Sequence, residues 1–148
     1  MSASRNHPVQ VLHNRRLSEL AVQLKRSFLQ YLAYTSPYIP PDARGTWSEL
    51  GVLSERQTAH AEELLDLLTE RRFVAVDSAF PIEFATHHYV SLDYLMGPLI
   101  EDQRRRAGDA RQAAHELLDD QIAHRLLVKI AAGEELILRE IERLADRG

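Results

Sequence analysis

Phe73-Val74-Ala75-Val76-Asp77-Ser78-Ala79-Phe80-Pro81-Ile82-Glu83 is the stretch on which the fold turns. Its β-branched and aromatic opening, followed by Pro81, predicts extended chain between two helical blocks. An up-and-down bundle joins its helices with about 2–8 residues. This link is longer. Eleven extended residues reach roughly 36–40 Å, close to the ~39 Å of a helix of about 26 residues. The chain can therefore return over the full length of a bundle before its next helix begins. We expect an all-α fold of two helical hairpins joined by a long crossover between helices 2 and 3.

Four helical blocks are expected around this link, at about 8–34, 46–72, 84–106 and 110–146. In the first, Leu17, Leu20, Leu24, Phe28, Tyr31 and Leu32 recur at helical spacing until Pro37 and Pro40-Pro41 stop it. The second opens at Thr46-Trp47-Ser48-Glu49, which has the form of a capping box. Ser54-x-x-Gln57 has the same form and gives Gln57 an alternative capping role. The third carries Leu92, Leu95, Met96, Leu99 and Ile100, with a kink expected at Gly97-Pro98. Ala107-Gly108-Asp109 is expected to turn, and the fourth block to bend near Gly133. Residues 1–148 are read as one domain.

Composition narrows the functional classes. Net charge is −4 and spread along the chain, which leaves no basic surface for nucleic acid; Arg104-Arg105-Arg106 reads as a solvated helix end. Cysteine is absent, which removes disulfides and thiolate metal sites. Met1–Arg16 has no apolar run of signal-peptide type, and charges interrupt every stretch before it could span a bilayer. A cytoplasmic protein is expected. Nucleophilic catalysis lacks a Cys, a Gly-x-Ser-x-Gly and a glycine-rich phosphate loop.

Two glutamine–histidine units, Gln57-x-x-His60 and Gln121-x-x-His124, fall on apolar stripes where polar residues are normally excluded. Residues three apart share a helix face, so each unit is expected to point one amide and one imidazole inward. Facing each other, they would build a buried polar cluster. His87-His88 would point about 100° apart on a helix and seldom reach one ion. His115-Glu116 and Asp119-Asp120 are expected to be solvated.

Helix, helix, crossover, helix, helix, with an amide–histidine unit in the second and fourth, resembles the ferritin-like superfamily. His60-Ala61-Glu62-Glu63-Leu64 is similar to the second-helix run of ferritins and bacterioferritins, and Gln30-Tyr31 resembles a first-helix pattern. The resemblance implies a four-helix bundle in which two helices each give a Glu and two give Glu-x-x-His to a pair of irons. Here Gln57 and Gln121 stand at two expected glutamates, and Leu24 at the first-helix one. Glu19 and Gln23 face away from the stripe; on the third helix His88, Asp93 and Asp102 are the choices. Neutral amides offset none of the charge of two ferrous ions, so a di-iron cofactor is not expected.

Three readings of the cluster stay open. It is a satisfied hydrogen-bond network in a binding or structural module. It holds a single zinc or iron ion at His60 and His124, with Gln57, Gln121 and Asp93 or water, for redox or hydrolytic chemistry. Or it borders a small-molecule pocket in the bundle core lined by Phe28, Tyr31, Tyr34, Tyr89 and Tyr94. Beyond Gly133, residues Glu134–Leu144 are expected to overhang the bundle and expose an apolar face, which predicts a homodimer with Leu138 and Ile141 at the contact.

Overall fold

In a computed structural model of the chain, residues 8–35, 37–87 and 91–147 are described. They form five α-helices: α1 (Pro8–Lys25), α2 (Phe28–Thr35), α3 (Arg44–Glu70), α4 (Leu92–Glu116) and α5 (Gln121–Arg147). Short 3-10 turns occupy Pro41–Ala43 and Ile82–His87, and no strand occurs among the described residues. Phe84 opens no helix; α4 begins at Leu92.

The first expected helix is two. α1 stops at Arg26-Ser27 because α2 has its own N-terminal partners there. The Ser27 hydroxyl accepts the Gln30 amide (3.3 Å), and the Asp102 carboxylate of α4 accepts the Phe28 amide (2.8 Å). A side-chain acceptor at the cap and a negative charge in the first turn both favour a new helix start.

α3 starts at Arg44, behind Ala43, with no side-chain cap. The Thr46–Glu49 box is not its start; Glu49 instead pairs with Arg143 and Arg147 of α5. Ser54 and Gln57 lie inside α3, so Gln57 caps nothing. The helix ends with Phe73 N–H donating to Leu68 C=O and Arg72 N–H to Thr69 C=O, with Arg72 at φ 57°. This is a Schellman ending with arginine in the place that favours glycine.

Two apolar clusters give the helix directions. One gathers Leu17, Leu20 and Leu24 of α1, Leu64 and Leu68 of α3, Ala110 and Ala113 of α4, and Leu127 and Ile130 of α5. The other gathers Phe28 and Leu32 of α2, Leu50 and Leu53 of α3, Leu95 and Leu99 of α4, and Ile137 and Ile141 of α5. Hence α1–α2 and α5 run one way, α3 and α4 the other. α1 packs on α3 and α4 on α5, while α3 also meets α5 and α1 meets α4.

Because α3 and α4 are parallel, the link between them returns along the bundle. Its contacts advance in order: the Val76 amide donates to Ser18 Oγ (3.2 Å), and Arg26 binds the Ser78 carbonyl and the Asp77 carboxylate. Phe80 then packs on Tyr31 and Tyr34. The chain is thus laid over α1 and then α2.

Two expected interruptions are absent. α4 is helical through Ala107-Gly108-Asp109, where Ala107, Ala110 and Ala113 form a buried small-residue stripe against its neighbours. The turn falls at residues 117–120. α5 passes through Gly133 unbroken; Ile141 is buried in the second cluster and Leu138 is buried too, so neither overhangs. The two residues expected at a homodimer contact are therefore buried within the chain.

Asp120 is not solvated either. It receives two hydrogen bonds from Arg71 (2.8 and 2.7 Å), faces His13 (3.2 Å), and caps α5 by accepting the Ala123 amide (3.3 Å). Arg71 also donates to Asn14 (3.0 Å). These contacts tie α1, the end of α3 and the start of α5 together at one end of the bundle.

Candidate functional site

Between the two apolar clusters lies a layer of buried polar side chains from the α1–α2 junction, α3, α4 and α5. Leu24 and Phe28 flank Ser27; Leu53 and Ala61 flank Gln57; Leu99 and Ala107 flank Asp102-Gln103; Ile130 and Ile137 flank Glu134. Ser27, Gln57, Gln103 and Glu134 are all 0 % exposed. Such burial is tolerated only when each polar atom finds a partner.

The partners are all here. Gln57 Nε2 donates to Glu134 Oε1 (2.8 Å) and to Gln103 Oε1 (3.1 Å). Gln103 Nε2 donates to Glu134 Oε1 (2.9 Å) and to the Glu134 carbonyl (3.1 Å). The four amide protons of the two glutamines are thereby used. Gln57 Oε1 accepts from Ser27 Oγ (2.5 Å) and Gln30 Nε2 (3.2 Å). The second Glu134 oxygen, Oε2, lies 2.6 Å from His60 Nδ1. One hydrogen bond joins the imidazole and the carboxyl group at this distance.

His60 is the member of the layer nearest to solvent, 14 % exposed against 0 % for Glu134. Its ring lies against the α5 backbone at Gly133, where an added Cβ would stand 2.5 Å from Nε2. The expected helix breaker is therefore the notch that admits the imidazole.

Of the residues singled out from sequence, Gln57 and His60 meet in this layer. Gln121 and His124 do not: Gln121 is exposed, and His124 Nδ1 lies 2.7 Å from the Ala114 carbonyl at the start of α5. Ten residues separate His124 from Glu134, roughly 15 Å of helix. Asp93, exposed in the first turn of α4, is ten residues from Gln103 on the opposite side of the layer. Leu24 is core, and the polar first-hairpin residue is Ser27. Tyr34 and Tyr94 are exposed, so they line no core pocket; Phe28 and Tyr31 stack on each other at 6.1 Å. His88 and Tyr89, and the side chain of His87, lie outside the described residues.

Glu134 and Gln103 were missed, although each occupies a heptad-like core position. The stripe of α5 runs Leu127, Ile130, Glu134, Ile137/Leu138, Ile141, a charge where an aliphatic is expected. Gly108 and Gly133 mask that register, because a glycine inside a helical pattern also reads as its end.

The donor set does not fit a pair of irons: it offers one imidazole, two amides and the Glu134 carboxylate, all bonded to one another, with Asp102 committed to α2. No group of three or more His, Cys, Asp or Glu side chains is arranged to hold a metal among the described residues. No helix among them is long and apolar enough to cross a membrane. Comparison with protein-family models, curated proteins and solved structures finds no match.

Proposed function

We propose that this chain is a ferritin-like bundle in which a hydrogen-bonded lock replaces the di-iron oxidase centre, and that it serves as a binding or structural module. Two helical hairpins with a full-length return link support the architecture; the fifth helix arises from the break at Arg26-Ser27. The mid-bundle positions support the loss. Where a ferritin-like site has two Glu and two Glu-x-x-His units, this layer has Ser27, Gln103, Gln57-x-x-His60 and Glu134-x-x-Ile137.

One observation carries the reading. α3 keeps the histidine of its unit, α5 keeps the carboxylate of its own, and the two bind each other at 2.6 Å. Amide donors then complete Glu134, so its carboxyl oxygens are fully hydrogen-bonded without a cation. Anaerobic loading with ferrous ion followed by exposure to air tests this. Oxidation at the rate of protein-free buffer is expected; oxidation accelerated by the protein, with saturation near two irons per chain, would overturn it.

A further inference from the structure

The return link, α1, α2 and α3 border a surface groove of about 690 Å³. Its aromatic wall faces solvent. Tyr34 is 77 % exposed, and Ala33 and Ala79, which also line the groove, are exposed as well. Tyr34 leans on Phe80, with ring centres 5.6 Å apart and planes tilted by 37°. Phe80 is braced in turn: Tyr31 meets it edge-on at 5.4 Å, and the Arg26 guanidinium lies 5.0 Å from its centre. A supported aromatic ring is thus left open to a second ring.

The charge lining the same groove is positive. Lys25 and Arg26 share one carboxylate, Asp77, and pair with no other among the described residues. Arg26 Nη2 donates to both Asp77 oxygens at 3.1 Å, while Lys25 Nζ stands 3.8 Å away, beyond hydrogen-bond reach. Arg26 Nε is taken by the Ser78 carbonyl, and its Nη1 makes no hydrogen bond among the described residues. Two cations against one anion leave a net positive charge, with the Lys25 ammonium and Arg26 Nη1 as unused donors. Unused cationic donors favour an anion, and an exposed tyrosine face favours an aromatic ring. We propose that the groove binds a small aromatic carboxylate, with its ring on Tyr34 and its carboxylate at Lys25 and Arg26. The inference does not rest on the polar layer, and iron binding there would leave it standing.

Titration of isotopically labelled protein with 2-naphthoate, 2-naphthylmethanol and 2-naphthylmethylamine, followed by amide shifts, tests it. The acid is expected to perturb Ala33, Tyr34 and Ala79 and to bind about tenfold or more tighter than the amine. Lys25→Gln should narrow that preference while leaving the alcohol unchanged. Tyr34→Ala, a change at an exposed side chain, should weaken acid and alcohol alike and retain cooperative unfolding. Equal affinity for acid and amine, an unchanged preference in Lys25→Gln, undiminished binding to Tyr34→Ala, or no shifts in the groove up to about 10 mM would overturn the proposal.

Discussion

His60 and Gly133 are matched across the α3–α5 interface: the imidazole occupies the space that a Cβ on residue 133 would need, 2.5 Å from Nε2. In an ordinary helix interior, glycine to alanine stabilises by up to about 1 kcal/mol. Here Gly133→Ala must displace His60 from Glu134, and overpacking of this kind costs about 1–3 kcal/mol. We expect net destabilisation in urea unfolding. A gain in stability would show that the ring is free to move aside.

Removing the imidazole leaves the buried Glu134 Oε2 without its partner, while Oε1 keeps its amide donors. His60→Ala is expected to cost about 3–5 kcal/mol, the range for breaking one side of a buried pair. Adding Glu134→Gln should recover part of that loss, because the remaining group is then neutral. Chemical denaturation of the two variants checks the order; a double variant less stable than the single would contradict it.

The amides matter as donors. Gln57→Glu combined with Gln103→Glu places two further carboxylates beside Glu134 and deletes three hydrogen bonds to its side chain and backbone. The pair should destabilise by more than about 3 kcal/mol at neutral pH, and added Co²⁺ should raise its Tm. Parent-like stability without metal would refute the role given to these amides.

Arg72 holds a left-handed backbone at the end of α3. Arg72→Gly should stabilise the protein by about 1 kcal/mol through relief of that conformation, read as a shift in unfolding midpoint at unchanged slope. A loss would mean that the arginine side chain outweighs the backbone strain.

At the bundle end, burial of the Asp120 carboxyl opposes its ionisation. The Arg71 hydrogen bonds, the Ala123 amide and the charges of Arg71 and His13 together outweigh it, and its pKa lies below the usual carboxylate value. The folded state therefore holds Asp120 ionised where the unfolded chain takes up a proton. The resulting stability is full above about pH 4 and is lost as pH falls through the folded pKa. Asp120→Asn should be less stable than the parent at pH 7, with the difference narrowing as pH falls below about 4. A difference independent of pH would contradict this.

The return link was legible in the sequence because length alone decides it: residues 73–83 are too many for a hairpin and enough to span a bundle. His60 and Gln57 were legible because polar residues interrupt the stripe of α3. The break at Arg26-Ser27 was not, since it depends on Asp102 arriving from α4, 74 residues away. Glycine at 133 carries two meanings, helix breaker or close approach, and only His60 on the neighbouring helix distinguishes them; at 108 a Cβ would meet only Arg111 at 3.8 Å, and the helix simply runs through. Taken as helix breakers, the two glycines hide the register that puts Glu134 in the layer and leave Gln121-x-x-His124 in its place.

Elemental analysis of protein purified from iron-supplemented cells tests the central claim most directly. If Glu134 is bound by His60, Gln57 and Gln103 in place of metal, iron will be well below one equivalent per chain. Two irons per chain would contradict the account.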